Sequence, residues 1–445
     1  MTRVIIVRHG QSTYNTERRI QGHLDESELT EKGQNDAVTV GRAINNILFD
    51  AIYCSPLKRA KQTAEIIYRQ IKANVANLDN IPPLQITDKL KEIHLPLWEG
   101  MLSSEVKAKF PEDYKLWQEN PHKLRMLIQN DQTSVEYFPI LALYEQAQEF
   151  WQEILPQHQN QTILIVAHSC INRCLIQAAN KISAGYMQHL HQSNCCINIL
   201  NFAANGNDNL NQTKVQIESF NQTQHMGEFL PSLRPNHQGI RLLLVRHGET
   251  DWNQQSKYQG QTDIPLNENG KLQSEKLAEF LKDVSIDKTF SSSLLRAKQT
   301  AEIILKHHQG VNLELNDGLK EIIHGLWQGK LEAEIQQEFP GELQRWKETP
   351  ENFKMPNGES LQQVWQRTIE VYQSILDTAL TNQLNTVLIV AHGVINQILL
   401  CHIFGLSSQN LWNFRQSNCC LNVIDYPKGK NGLPVVQAIN IKVKG

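Results

Sequence analysis

Arginine and histidine stand side by side at the end of two short apolar runs. The pairs are Arg8-His9 after Val4–Val7 and Arg246-His247 after Leu242–Val245. A histidine can attack phosphorus when its reactive ring nitrogen carries no proton and the other nitrogen is held by a hydrogen bond. Arginine side chains stabilise the charge on the phosphoryl oxygens. These residue types therefore indicate phosphoryl transfer through a histidine nucleophile.

Each half of the chain supplies three further groups that this chemistry needs. A second histidine and a second arginine would complete a cationic pocket for a phosphate dianion. A carboxylic acid would protonate the leaving alkoxide and then activate water. The second histidines are His168 and His392, the arginines are Arg59 and Arg296, and the carboxylic acids are Glu92 and Glu321.

The sequence repeats itself, and the repeats contain these groups. Residues 59–65 and 296–302 are identical, as are residues 165–168 and 389–392, and residues 192–196 and 416–420. Self-similarity of this kind indicates duplication, and two copies of about 200 residues are each long enough to fold as a domain. The sequence therefore predicts two domains from one ancestral unit.

The boundaries follow from composition. A stretch with Gly227, Pro231, Pro235, Asn236 and Gly239 is typical of a linker. We expect a first domain over residues 1–223, a linker over 224–239 and a second domain over 240–445. The Asn-rich residues 203–212 are expected to form a surface loop.

Alternating strand and helix patterns predict the fold class. The continuous apolar runs 4–7, 163–166, 242–245 and 387–390 fit strands of a parallel sheet buried on both faces. Helical patterns, as over 59–67 and 361–376, lie between them. In such sheets, ligands bind beyond the carboxyl ends of the strands. Each domain should therefore bring its Arg-His pair and its second histidine to one rim.

Bulk composition excludes several classes of protein. Of the 445 residues, 40% are hydrophobic and 20% charged, and the net charge is −3, which points to neither a nucleic-acid nor a membrane partner. The eight cysteines include no CxxC pair, so neither a zinc ribbon nor a redox motif is indicated. No signal segment or membrane span is apparent. We expect a cytoplasmic protein with reduced thiols; the oligomeric state stays open.

Four motifs occur twice in the same order: Arg-His-Gly, Ser-x-x-x-Arg-Ala, Leu-x-Glu and Ala-His. In this order, they resemble the histidine phosphatase (phosphoglycerate-mutase-like) superfamily across both halves. The two-domain layout is similar to that of 2-carboxy-D-arabinitol-1-phosphatase-like proteins. The resemblance implies two tandem three-layer α/β/α domains, each with a mostly parallel central sheet, and no metal or other cofactor.

The resemblance also implies roles for residues of this sequence. His9 and His247 would be the phosphorylated nucleophiles, and Glu92 and Glu321 the proton donors. The implied catalytic set is His9, Glu92, His168, His247, Glu321 and His392. The implied phosphate-binding set is Arg8, Asn15, Gly22, Arg59, Arg246, Asn253, Gly260, Arg296 and Gly393.

A phosphatase acting on a small phosphorylated metabolite, such as a sugar phosphate or sugar-acid phosphate, is the leading hypothesis. One alternative is a phosphoglycerate-type mutase, which must keep water away from its phosphohistidine. Residues 321–392 show no long insertion for such a lid. The alternative from another class is a non-catalytic phosphometabolite-binding or assembly module.

The two copies differ near the expected site. The second contains Gly325, Gly393 and the Pro-Asn-Gly-Glu-Ser segment 356–360, whereas the first has Pro96, Ser169 and the bulky segment 136–139. Glycine beside a phosphate site leaves room for close backbone approach. We therefore expect the second domain to carry most of the activity.

Overall fold

The computed structural model describes residues 1–74, 81–130, 133–203, 213–233, 237–429 and 432–443. Two compact units, Met1–Pro231 and Ser232–Gly445, make up the chain and are called the first and second domains below. Within the expected linker, Gln224–Met226 form a 3-10 turn, and residues 234–236 lie outside the described residues. Residues 204–212 of the Asn-rich stretch also lie outside them. The domain limits 223 and 240 stay predictions.

The first domain alternates strands and helices. Its strands are β1 (Thr2–Arg8), β2 (Ala51–Cys54), β3 (Leu84–Ile86), β4 (Met126–Asn130), β5 (Thr133–Tyr137), β6 (Thr162–Ala167), β7 (Ile197–Phe202) and β8 (Val215–Gln222). Its helices are α1 (Thr13–Glu17), α2 (Glu31–Ile44), α3 (Lys58–Ala73), α4 (Ser103–Lys109), α5 (Pro111–Glu119), α6 (Pro139–Ile154) and α7 (Ser169–Asn180).

The central sheet of the first domain has the order β8-β7-β1-β6-β2-β3. β1, β6, β2 and β3 are parallel, whereas β7 and β8 are antiparallel to their neighbours. Helices α2 and α3 pack over the face that carries Ile5 and Val7. On the other face, α6 packs against α7, and α7 against β1. Helices on both faces explain why β1 and β6 are continuous apolar runs.

The second domain repeats this plan. Its strands are β9 (Arg241–Arg246), β10 (Lys288–Ser291), β11 (Leu313–Leu315), β12 (Thr386–Ala391), β13 (Leu421–Asp425) and β14 (Val435–Ile441). Its helices are α8 (Asp251–Gln254), α9 (Glu268–Leu281), α10 (Leu295–Leu305), α11 (Glu332–Glu338), α12 (Glu342–Glu348), α13 (Leu361–Thr381) and α14 (Gly393–Ile403).

The sheet of the second domain has the order β11-β10-β12-β9-β13-β14. Parallel pairing joins β9 to β12, β12 to β10 and β10 to β11, and antiparallel pairing joins β13 to β9 and β14 to β13. The predicted tandem α/β/α domains with mostly parallel sheets are thus confirmed.

One element distinguishes the domains. In the first, β4 and β5 form an antiparallel hairpin before α6. In the second, a compact turn over 355–359 precedes α13, and Ser360 caps that helix by accepting a hydrogen bond from the Gln363 N–H. The sequence difference at 136–139 therefore corresponds to a change of secondary structure.

Among the helices of the described residues, none has the length and apolarity that are needed to cross a bilayer.

Candidate active site

Adjacent parallel strands bring the two histidines of each domain together. His9 follows β1 and His168 follows β6, which pair so that Arg8 lies opposite Ala167. Both histidines are buried, and their ring centroids are 5.1 Å apart. In the second domain, the rings of His247 and His392 are also 5.1 Å apart. The predicted meeting of these side chains at one rim is what the structure shows.

The tautomer of His247 follows from its two neighbours. Its Nδ1 lies 2.7 Å from the Gly248 carbonyl, which can only accept, so Nδ1 carries the proton. The Nε of Arg296, which can only donate, lies 3.3 Å from Nε2, so Nε2 carries the lone pair. Burial, followed by the charges of Arg296 and Arg246, holds the pKa of His247 well below its usual value. Nε2 is therefore an unprotonated nitrogen at neutral pH.

His9 has the same anchor but not the same arginine contact. Its Nδ1 lies 2.7 Å from the Gly10 carbonyl, and burial with the charges of Arg8 and Arg59 lowers its pKa well below the usual value. However, the Nε of Arg59 has no hydrogen-bond partner among the described residues. The two nucleophile candidates thus differ in how directly an arginine contacts the ring.

Backbone carbonyls fix the direction of the buried arginine in the first turn of each of the helices α3 and α10. Arg296 donates to the carbonyls of Thr262 at 3.0 Å and Gly260 at 2.7 Å. Arg59 donates in the same way to Leu24 at 3.0 Å and Gly22 at 2.9 Å. The two glycines, which were predicted to bind phosphate, hold the arginine through their carbonyls in this structure. Burial lowers the pKa of Arg296 to about 10, so it stays charged at neutral pH.

In each domain, the arginine that directly precedes the nucleophile candidate donates a hydrogen bond to a backbone carbonyl. Arg246 donates to the Gln416 carbonyl at 2.6 Å, and Arg8 donates to the carbonyl of Gln192. The Nε atoms of both arginines are buried and have no hydrogen-bond partner among the described residues. Each guanidinium therefore keeps donor capacity for a ligand anion.

A serine contacts the second histidine of each domain. Sequence analysis did not assign this serine to the site. Nε2 of His392 lies 2.8 Å from Oγ of Ser292, which also accepts from the Leu294 N–H at 3.3 Å. The Ser292 hydroxyl can donate its own proton to Nε2 while it accepts from the backbone, and in that arrangement Nδ1 is the protonated nitrogen. Nδ1 of His392 has no protein partner among the described residues. Ser55 and His168 repeat the contact at 2.8 Å.

The candidate acid lies at the start of the helix that follows the second histidine. In the second domain, the Glu321 carboxyl group accepts from the N–H groups of Ile322 at 3.0 Å and Val394 at 3.2 Å. Removal from water raises the pKa of Glu321, and these N–H groups oppose the rise only in part. A raised pKa favours the protonated form that general acid catalysis requires.

Glu92 occupies the matching place but has more donors. The N–H groups of Ile93 at 2.9 Å, Cys170 at 3.1 Å and Ile171 at 3.1 Å all point to its carboxylate. Beside it, the Ser169 hydroxyl accepts from Arg173 at 2.8 Å. A Cβ at the matching Gly393 would lie 3.7 Å from Arg246 Nε, which is ordinary contact. The added side chain of Ser169 is thus accommodated without a clash.

The predicted asparagines organise the loop after the nucleophile. The side-chain oxygen of Asn253 accepts from the Asn418 side-chain amide at 3.0 Å, and Asn15 accepts from Asn194 at 3.1 Å. Asn418 also approaches the His247 carbonyl at 3.4 Å. Asn194 and Asn418 each precede a pair of buried cysteines, Cys195-Cys196 and Cys419-Cys420, and reach the site from the repeated Asn-Cys-Cys segment.

These groups line a cavity of about 270 Å³ in the second domain. Its walls are Arg246, His247, Asn253, Ser256, Lys257, Tyr258, Gln259, Gly260, Arg296, Glu321 and His324. Nucleophile, arginines and acid thus face one space that could hold a small phosphate ester. Among the described residues, no group of three His, Cys, Asp or Glu is arranged to hold a metal ion.

The sequence matches the profile of the histidine phosphatase superfamily (branch 1) over residues 4–213 and again over residues 242–440. The chain belongs to this superfamily. Two histidine phosphatase domains in tandem account for the duplicated site. The chain is accordingly an enzyme, a phosphoric monoester hydrolase of the histidine phosphatase type.

Some named relatives align with nearly the whole of this chain, and others align with less than half of it. The 2-carboxy-D-arabinitol-1-phosphatase of Triticum aestivum is 29% identical over 98% of this chain and 85% of its own length. Phosphoserine phosphatase 1 of Hydrogenobacter thermophilus is 34% identical over 45% of this chain and 92% of its own. The probable phosphoglycerate mutase GpmB of Salmonella choleraesuis is 31% identical over 43% of this chain and 87% of its own.

Proposed function

We propose that this enzyme hydrolyses a small phosphorylated metabolite, a sugar phosphate or sugar-acid phosphate, through a phosphohistidine. The observation that carries the proposal is the buried, neutral His247, whose Nε2 lacks a proton and faces the same cavity as two arginines and Glu321. A lone pair held next to cationic donors suits attack on a phosphate monoester. His9 would act in the same way in the first domain.

The reaction runs in two balanced steps. Nε2 of His247 attacks phosphorus, the phosphorus–oxygen bond of the ester breaks, and the departing alkoxide takes the proton of Glu321. The Glu321 carboxylate then accepts a proton from water. The resulting hydroxide attacks phosphorus, the nitrogen–phosphorus bond breaks, and inorganic phosphate leaves. Ester and water become alcohol and phosphate, and the enzyme returns to its starting state.

Charge stabilisation falls to the arginines and the second histidine. The side chains of Arg246 and Arg296 would donate to the equatorial oxygens, where charge accumulates in phosphoryl transfer. His392 would donate through Nδ1, which is the protonated nitrogen when Ser292 donates to Nε2. No step of this scheme needs a group from outside the protein other than water.

The whole-chain relative supports a sugar-acid substrate. The Triticum aestivum protein, which carries 2-carboxy-D-arabinitol-1-phosphatase in its name, matches 98% of this chain, so both domains have a counterpart there. We extend the substrate class, a phosphorylated sugar acid, to this enzyme on that basis. The mutase alternative predicts transfer of the phosphoryl group to a second acceptor instead of water.

The test is a panel of metabolite phosphates with the full-length chain and its His9→Ala, His247→Ala and double variants. We expect phosphate release from sugar phosphates or sugar-acid phosphates, loss of most turnover in His247→Ala and no turnover in the double variant. Phosphoryl transfer between positions of phosphoglycerate without phosphate release would favour the mutase. Full turnover by the double variant would exclude a histidine nucleophile.

A further inference from the structure

The cavity of the second domain contains one cation more than a phosphate needs. A phosphate dianion is balanced by Arg246 and Arg296, which face the nucleophile. Lys257 lines the same cavity, and Glu321 is the one carboxyl group among the lining residues. If Glu321 is protonated, as its role as acid requires, the charge of Lys257 has no counterpart in the cavity.

The neighbours of Lys257 leave its ammonium group available. Among the described residues, it forms no ion pair, and Glu332, which contacts the adjacent Tyr258, is paired with Lys347 at 2.7 Å. Glu332 also accepts from the Tyr258 hydroxyl at 3.3 Å. The cation is therefore not neutralised by the wall that surrounds it.

The first domain shows the alternative arrangement at the same position. Arg19, which aligns with Lys257, forms an ion pair with Glu17 at 2.9 Å and donates to the Gly100 carbonyl. The second domain has Gln255 in place of Glu17. Because the second domain lacks this acid, the charge of Lys257 is not neutralised by an ion pair, whereas the charge of Arg19 is.

Other polar groups line the same cavity as the lysine. Gln259 and His324 are more than nine-tenths buried in the cavity wall, and Gln259 Oε1 and His324 Nδ1 have no hydrogen-bond partner among the described residues. Ser256 also lines the cavity. Besides the phosphate-binding arginines, the cavity therefore offers one ammonium group together with amide, hydroxyl and imidazole groups.

We propose that Lys257 binds a carboxylate of the substrate, so that the second domain selects phosphate monoesters of hydroxy acids over the matching neutral esters. One ammonium group matches one carboxylate, whereas a second phosphate dianion would call for two cations. The amide and hydroxyl groups beside it suit the hydroxyls of a sugar acid. This inference rests on the proposed hydrolytic function and specifies its substrate class.

The experiment uses the full-length chain with His9→Ala, so that hydrolysis reports on the second domain. Two matched pairs serve as substrates: 6-phosphogluconate with glucose 6-phosphate, and 3-phosphoglycerate with glycerol 3-phosphate. The readout is the ratio of kcat/KM within each pair. Lys257→Met should lower the preference for the acid about tenfold, as expected for a lost charge-assisted hydrogen bond. Lys257→Arg should retain the preference for the acid, and the surface control Lys282→Met should show the same kcat/KM ratio as the His9→Ala chain.

Several outcomes would overturn the proposal. An unchanged ratio in Lys257→Met would show that the lysine does not read the carboxylate. Dependence on Lys257 for glucose 1,6-bisphosphate but for neither acid would assign the position to a second phosphate. If no ester, including p-nitrophenyl phosphate, is hydrolysed, the proposed function fails instead. In that case, the binding of 6-phosphogluconate and of glucose 6-phosphate by the same variants is measured by calorimetry. Equal affinities for the two ligands would refute the carboxylate site.

Discussion

At the scale of single residues, one buried environment shifts two groups in opposite directions. Burial raises the pKa of Glu321 and lowers the pKa of His247 well below its usual value. The carboxyl group is thereby favoured as an acid and the imidazole as a neutral nucleophile, which is the division of labour that the reaction needs. Ester cleavage should therefore fall as pH rises through the Glu321 pKa, and fall again as pH drops through the lowered His247 pKa.

The first residue-scale prediction concerns Glu321→Gln in the His9→Ala chain. For an alkyl phosphate, whose leaving group must be protonated, kcat/KM should fall about 100-fold or more. For p-nitrophenyl phosphate, which has a good leaving group, the loss should be about tenfold or less. Steady-state assays from pH 4 to 9 should also show that the alkaline decline disappears. Equal losses for both esters would mean that Glu321 has another role.

A second prediction concerns Ser292, which we regard as a positioning residue. In Ser292→Ala, His392 no longer has a hydroxyl donor at Nε2, so the neutral ring can present a lone pair instead of a proton at Nδ1. We expect kcat to fall about tenfold near neutral pH. The loss should shrink at low pH, because a protonated ring carries both protons. Ser293→Ala is the control, since Ser293 contacts Asp317 at the surface. A loss that does not vary with pH would contradict the tautomer role.

Sequence analysis identified the histidines, arginines and carboxylic acids because duplication displays each of them twice. It assigned no role to Ser292 or Asn418. Ser292 lies at the end of β10 and reaches His392 only because β10 pairs with β12, and Asn418 reaches Asn253 only because β13 lies beside β9. Contacts that depend on strand order are not readable from motifs. Gly22 and Gly260 hold an arginine through their carbonyls in this structure, and their predicted role in phosphate binding stays a prediction.

At the scale of elements, the parallel strands were predictable and the hairpin was not. The runs that form β1, β6, β9 and β12 are continuously apolar because helices cover both faces. The β4–β5 hairpin has a weaker pattern, and Leu127 and Val135 on it are exposed. In the second domain its place is taken by the turn at 355–359. That turn packs against Gly325, where the first domain has Pro96.

This packing yields an element-scale prediction. Gly325 has a φ of +55°, and a Cβ there would lie 1.9 Å from the Pro356 carbonyl oxygen. Gly325→Ala should cost about 3 kcal/mol or more and lower kcat, since the same segment begins at Glu321. Gly310→Ala is the matched control: its φ is +83°, but nothing lies within 4 Å, so we expect about 1 kcal/mol. Denaturant unfolding measures both, and equal costs would refute the clash.

At the scale of the whole molecule, the two domains share one plan but differ at the site. The sequence shows the duplication, and the differences between the copies led us to expect that their activities are unequal. The structure adds physical grounds for that inequality. Arg296 Nε donates to the nucleophile ring at 3.3 Å, whereas Arg59 Nε has no hydrogen-bond partner among the described residues, and Glu92 accepts from one more N–H group than Glu321. Neither contact could be read from motifs that are the same in both copies.

We therefore predict that the second domain carries most of the turnover. In the full-length chain, His247→Ala should remove about nine-tenths or more of the hydrolysis of a sugar-acid phosphate, whereas His9→Ala should remove a minor part. The comparison is made on the same substrate panel at saturating concentration. A larger loss in His9→Ala than in His247→Ala on every substrate would reverse the ranking.

We propose that the phosphoryl group passes through a covalent bond to histidine. This intermediate can be trapped by rapid acid-free quenching of the full-length chain during turnover of a 32P-labelled ester, followed by peptide mapping. We expect an acid-labile, base-stable label on the peptide that contains His247, a weaker label on the peptide that contains His9, and none in the His9→Ala, His247→Ala double variant. Label that persists in the double variant, or turnover by it at the wild-type rate, would rule out a phosphohistidine on His9 or His247.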